Sequence, residues 1–236
     1  MSPSHRQLSP RAGRYRPALL CVYLLKPMTW QDIIKLHLAG SRGETSDTIM
    51  LPPAHLPEGL SALAHRMKVK LDPDGPVELA PSWLGARALP ALFGGHGNRI
   101  RLGGLLARKL SPSALDAVMA HELAHLKCRH WELLLLGAML AALGGTAIGL
   151  AVDGSTMLRI LIGGMVPLAA AAGLSWIAEY EADRVAAEYV GYEVVAVMLG
   201  ELRDSGFRRR AEFTHPPDVH RLKRVLAARL RPGREA

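Results

Sequence analysis

The sequence predicts a mainly α chain of α+β type: a small β-sheet and a metal-binding helical unit, interrupted by a two-helix transmembrane hairpin. Three observations predict it. Residues 120–130 read A-H-E-L-A-H-L-K-C-R-H and contain the H-E-x-x-H pattern. Residues 133–152 and 160–178 are two long stretches without a charge. Short turn-bounded apolar segments between positions 77 and 102 supply the strands. The chain divides accordingly into a basic arm and linker (1–58), a first metal-binding part (59–131), the hairpin (132–178) and a second part with a basic tail (179–236).

Composition bounds the reading. With 236 residues the chain can bury a proper core. Its net charge of +8 is that of a protein meeting nucleic acid, an anionic membrane surface or an acidic partner. Cys21 and Cys128 make no disulfide framework, which fits a reducing, cytosol-facing location.

The first 30 residues carry Arg6, Arg11, Arg14 and Arg16 before a short apolar run at 18–25. Lys26 ends that run, and no small-x-small cleavage site follows, so it imitates a signal peptide weakly and is too short to span a bilayer. A surface-seeking arm or short packed helix is expected, with a targeting remnant as the alternative. Residues 30–38 read as a short helix capped by Thr29, and 40–57, rich in Gly, Ser, Thr and Pro, as a linker. Residues 60–69 look helical. Asp72-Pro73-Asp74-Gly75-Pro76 is a turn cluster, and 77–79 a short strand. Residues 94–98 form another turn, with His96 as a turn residue. Arg99-Ile100-Arg101-Leu102 alternates charged and apolar residues, as a half-buried strand does. No Gly-Lys-Ser/Thr follows the glycines, which excludes a phosphate-binding loop.

Ser111 and Pro112 start the metal helix, Ser as N-cap and Pro at the first helical position. Leu115, Val118, Met119, Leu123 and Leu126 give it an apolar face. His121 and His125, four apart, lie on one face and can offer two imidazoles to one metal ion. Glu122 sits about 100° around the axis, beside such a metal rather than on it, where it can take a proton from a metal-bound water. No stop signal follows His125, so the helix is expected to run on.

It runs into the uncharged stretches, each long enough to cross a hydrocarbon core of about 30 Å. Their Gly and Ala residues suit close helix contact in lipid, and Pro167 is tolerable there. A buried helical hairpin in a soluble protein is the alternative. At the return end stands Glu179-Tyr180-Glu181-Ala182-Asp183. If both segments cross and come back, Glu179 reaches the side of His121 and His125 and supplies the third protein ligand a zinc ion needs. Asp183, on the same helix face, can accept a hydrogen bond from a ligand His. Glu181 points elsewhere, as a solvated or core-edge carboxylate. One length is awkward: if both helices are continuous, the outward path exceeds the return by about 12 Å of helix rise.

H-E-L-A-H, a hydrophobic hairpin, E-Y-E-A-D and then Thr214-His215-Pro216-Pro217 with Arg221 resemble, over roughly residues 60–225, the HtpX-type and CAAX-prenyl-protease-type membrane zinc metallopeptidases, which are gluzincins. The resemblance implies a zincin-like metallopeptidase domain and one Zn2+ per chain held by His121, His125 and Glu179. Glu122 is implied as the general base, with Asp183 behind the ligands. It implies that His215 helps stabilise the oxyanion and that Arg221 positions it or the Glu ligand. It also implies that the strand containing Asn98, Ile100 and Leu102 binds extended substrate. From the residues alone, His215 is held at an extended, rigid His-Pro-Pro step, as a site-rim imidazole or a surface turn residue.

Lys127 and Arg129 precede the first span and an arginine-rich tail follows the second, while the connecting loop is short and nearly neutral. The positive-inside rule then predicts a two-pass protein of the cell membrane with both catalytic portions in the cytoplasm. Anionic lipid accounts for the net charge without nucleic acid. The expected partners are the bilayer and a protein or peptide substrate. A metal-holding scaffold without activity remains the alternative, and a nucleic-acid binder resting on residues 207–210 has no recognition motif behind it.

Overall fold

The computed structural model describes residue 32 and residues 48–51, 58–91, 97–151, 155–205 and 215–230. The basic arm, the helix expected at 30–38 apart from Asp32, His96 and residues 207–210 lie outside them.

Four short strands build one sheet: β1 (Ile49–Leu51), β2 (Val77–Ala80), β3 (Ala86–Leu89) and β4 (Arg99–Gly103). Their order is β1-β2-β4-β3, with β2 parallel to β4 and the other two pairings antiparallel. β1 forms within the segment expected as linker, and β3 is an additional strand. Alternation sorts the faces. Val77, Leu79, Ile100 and Leu102 point into the core, where each is fully buried. The other face pairs charges: Arg101 with Glu78 at 2.8 Å and Arg99 with Asp72 at 2.7 Å.

Helices α1 (Glu58–Arg66) and α2 (Gly104–Lys109) flank the sheet, and α3 (Pro112–Lys127) carries H-E-x-x-H. The start of α3 is fixed twice. The Ser111 hydroxyl accepts from the Ala114 N–H at 3.3 Å, and Glu201 accepts from the Ser111 N–H at 2.7 Å and from its hydroxyl at 2.6 Å. A carboxylate there also complements the positive end of the helix. Residues 117–124 of α3 are all buried, so His121 and Glu122 sit inside the protein rather than on a surface helix.

α3 does not run on into the hairpin. The Cys128 N–H closes the last turn on Ala124 O and Leu126 O, and Arg129 takes a left-handed conformation, φ 54°. That conformation is uncommon for a residue with a Cβ. A new helix, α4 (His130–Ala151), then starts after this break, and α5 (Thr156–Val190) returns along it. The break removes the length mismatch: α4 is 22 residues long, and α5 reaches Glu179 in about as many.

α4 and α5 pack on each other through small residues. A Cβ on Gly145 would lie 2.8 Å from Gly163 O and 2.9 Å from Pro167 Cδ. The outer faces are bare: Leu143, Leu150, Met157 and Ile160 are at least two-thirds exposed. An apolar belt around two helices of spanning length is what a bilayer covers. α5 then continues without interruption into the core, burying Ala182, Val185, Ala186 and Ala187, and ends at Gly191, whose φ of +99° only glycine adopts freely. α6 (Tyr192–Asp204) and α7 (Asp218–Arg229) close the core against α3 and α5.

Gly145→Leu overpacks the α4–α5 contact and should cost ~1–3 kcal/mol, read as a lower unfolding temperature in detergent. Gly144→Leu, where an added Cβ meets nothing within 4 Å, should leave that temperature unchanged.

Candidate metal centre

The hairpin brings three side chains to one point. His121 Nε2 and His125 Nε2 are 3.1 Å apart. Glu179, from α5, places its two carboxylate oxygens 3.4 Å from the first and 3.5 Å from the second. His121 and Glu179 are buried and His125 is nearly so. The same chain trace that carries α5 back from the hairpin sets Glu179 over the helical pair, one turn before Asp183.

Asp183 Oδ1 lies 3.0 Å from His121 Nδ1. That carboxylate keeps a proton on Nδ1 and turns Nε2 toward Glu179. Arg221 grips Asp183 with two parallel bonds, Nε to Oδ2 at 2.7 Å and Nη2 to Oδ1 at 2.6 Å, and sets Nη1 3.1 Å from Glu179 Oε2. Arg221 is itself 2% exposed. Burial disfavours its charge, but the Asp183 and Glu179 carboxylates more than restore it and push its pKa above the ordinary arginine value.

His215 Nε2 comes to 3.3 Å from Glu179 Oε1, with its side chain about one-third exposed. Asp218 lies behind Arg221, its Oδ1 3.8 Å from Nη1. Both residues follow from the rigid His-Pro-Pro step, which leads directly into α7. Glu122 is buried and lines the same cleft as the triplet.

The residues fit a metal ion. Glu179 Oε2 is buried and, although Arg221 Nη1 stands 3.1 Å away, it lacks a well-aligned hydrogen bond. Both Nε2 atoms and the Glu179 carboxylate converge, so lone pairs crowd one another there unless a proton or a cation enters between them. His121 reports the same demand for positive charge. Burial lowers its pKa, but hydrogen bonds that its ring donates to the Asp183 and Glu179 carboxylates win and lift it to about 9. Two imidazoles and a carboxylate are the donor set of a borderline cation such as zinc.

Two placements differ from expectation. β4 is paired on both edges, by β2 and β3, and its Ile100 and Leu102 are fully buried, so its backbone has no edge left for a substrate. Asn98 is likewise engaged, donating to Lys70 O at 2.8 Å and accepting from the Ala91 N–H at 2.9 Å. The strand with an outer edge on the cleft is β3, where Ala86, Arg87 and Ala88 line the wall facing His121 and Glu122. Glu181 is not merely solvated: Oε2 lies 3.2 Å from His130 Nε2, and His130 Nδ1 lies 2.9 Å from His125 Nδ1. No sequence periodicity points to His130, since it reaches His125 through the left-handed turn at Arg129.

The cleft holds about 930 Å³. Trp83, Leu84 and β3 form one wall; Trp131 and Leu134 of α4 and Ser175 and Ala178 of α5 form the membrane-side wall.

An H-E-x-x-H pair on a buried helix, a glutamate from a second helix and carboxylate support behind the first histidine define a metallopeptidase-type site. Residues 86–229 match the model of peptidase family M48, and the chain belongs to that family. The family is one of peptidases. Its structure is similar to the crystal structure of S. mikatae Ste24p, with a TM-score of 0.58 and 16% sequence identity over 76% of this chain and 51% of that one. The chain thus spans about half the length of that protein. No curated protein matches it.

The raised pKa of His121 predicts a pH dependence for metal-free protein. A folded-state pKa of about 9, above the unfolded 6.5, stabilises fully below pH 6.5 and is lost as pH rises through 9. Melting of chelator-treated protein should show Tm falling across that window, by an amount equivalent to ~3 kcal/mol. His121→Phe should flatten that fall; a parent Tm that rises from pH 6.5 to 9 would contradict it.

Proposed function

We propose that the protein is a membrane-bound zinc metalloendopeptidase that cleaves protein or peptide substrates beside the bilayer. The observation that carries the reading is the convergence of His121, His125 and Glu179 in a cleft that Glu122 also lines. When bound, zinc supplies the Lewis acidity that polarises a scissile carbonyl and brings the pKa of a water toward neutrality.

The protein's own groups do the rest. His121, His125 and Glu179 hold the ion. Glu122 takes the proton of the attacking water and delivers it to the leaving amine. It lies among buried apolar neighbours on α3, which keeps its carboxylate from being diluted in bulk water. His215, at 3.3 Å from Glu179 and open to the cleft, donates to the carbonyl oxygen as negative charge develops there. Arg221 and Asp183 keep Glu179 ionised and His121 oriented.

Substrate binds extended along the outer edge of β3, adding a strand to the sheet so that main-chain hydrogen bonds fix the scissile bond over Glu122. The wall formed by the first turns of α4 and the last apolar turn of α5 supports a position of this site near the lipid surface. Segments of membrane proteins next to the bilayer are therefore the substrate class. By the positive-inside rule, Lys127, Arg129 and the basic tail support a cytoplasmic position for this side of the protein.

Glu122→Gln keeps the cleft's shape but removes the base. Purified in detergent, the variant should retain one zinc per chain by elemental analysis and lose cleavage of an unstructured test protein by ~10²–10⁴-fold. Cleavage at the parent rate would remove Glu122 from the mechanism.

A further inference from the structure

We propose that His130 and Glu181 are positioning residues: they hold the imidazole of His125 through a directed hydrogen-bond chain, and so set how tightly the centre grips its metal. The inference rests on the proposed role of His125 as a ligand.

The chain has two links. His125 Nδ1 faces His130 Nδ1 at 2.9 Å, and His130 Nε2 faces Glu181 Oε2 at 3.2 Å. His130 is 2% exposed, and its ring meets that of His125 edge to face at 4.9 Å. Two facing Nδ1 atoms bond only if one carries a proton and the other does not. With the Nε2 lone pair of His125 given to a cation, the His125 proton sits on Nδ1. His125 therefore donates, and His130 accepts at Nδ1 and carries its own proton on Nε2. That proton points at a carboxylate, which accepts it. Each link fixes the next, and one direction satisfies both links together with the ligand role of His125.

The two ligand rings are thereby held from the same helix by different means. Asp183 reaches His121 directly, whereas Glu181, two residues earlier on α5, faces away from the triplet and reaches His125 only through an inserted imidazole. The insertion depends on Arg129. Its left-handed turn ends α3 and brings His130, the first residue of α4, back over His125. A helix continuing through 128–130 would carry His130 past that ring.

Cys128 Sγ also lies within 4.8 Å of the His130 and Glu181 donor atoms, which raises a competing use of the cluster as a second cation site. The proton count opposes it. A cation on His130 Nε2 moves the His130 proton to Nδ1, where it meets the N–H of His125, and two donors face each other. The relay and the second cation exclude one another while the main centre is filled.

Purified full-length protein in detergent tests the relay by zinc affinity against a competing chelator and by the visible spectrum of the Co2+-substituted centre. His130→Phe should weaken zinc binding by ~10–100-fold and alter the Co2+ spectrum. Glu181→Leu should weaken it in the same direction. Glu181→Gln, whose amide oxygen still accepts from His130, should stay within about threefold of the parent. Cys128→Ser should match the parent. Should His130→Phe not fold, the Leu and Gln variants at 181 decide alone. Parent affinity in Glu181→Leu, or loss in Glu181→Gln as large as in Glu181→Leu, would overturn the relay. A second metal equivalent lost in Cys128→Ser would overturn it in favour of a cation site. His125→Ala binding zinc as tightly as the parent would instead refute the ligand assignment on which the relay rests.

Discussion

Arg221 is the buried cation that lets two carboxylates, Glu179 and Asp183, lie one helical turn apart inside the protein. Each carboxylate is nearly sealed from water, and an ionised group in that position costs several kcal/mol unless paired. The guanidinium meets both, bidentate on Asp183 and singly on Glu179. Its planar fork suits this; a lysine would offer a point charge and no parallel bonds. With both carboxylates kept ionised, Asp183 orients His121 and Glu179 presents a charged oxygen to the two imidazoles. The candidate metal centre, the return of α5 and the docking of α7 thus share one electrostatic constraint.

The constraint is met by distant parts of the chain. His121 comes from α3, the carboxylates from α5 and Arg221 from α7, and the apolar hairpin separates the first two. The hairpin needs no polar surface of its own, because lipid covers its outer face and glycines let its helices touch. Its base then serves a second end. Trp131 and Ala178, at the points where the helices leave the apolar belt, line the cleft itself. Under the proposed function, the helices that anchor the chain also frame the approach of substrate.

The sequence disclosed the centre more fully than the frame around it. His121 and His125 were legible because helical spacing of four is a local property, and Glu179 because two stretches of spanning length must return the chain to its starting side. Asp183 followed from the same face of the same helix. Arg221 was not legible from its residue type, since it stands among many arginines; the late H-P-P resemblance singled it out. β1 hid in a segment whose Gly, Ser, Thr and Pro content reads as linker, and β3, Ala-Arg-Ala-Leu, has no strong strand former. Which strand lies at the sheet edge is a long-range property, so Arg99-Ile100-Arg101-Leu102 read correctly as a strand while its interior place did not show. His130 was missed because it depends on a left-handed turn at a non-glycine residue, for which no local code exists.

The central claim is that one cation joins His121, His125 and Glu179. Anomalous scattering at the zinc edge, from crystals of the metal-loaded protein, tests it most directly. The account predicts a single strong peak per chain within bonding distance of both Nε2 atoms and a Glu179 carboxylate oxygen. A peak lying instead among Cys128, His130 and Glu181, or no peak near the two Nε2 atoms, would contradict it.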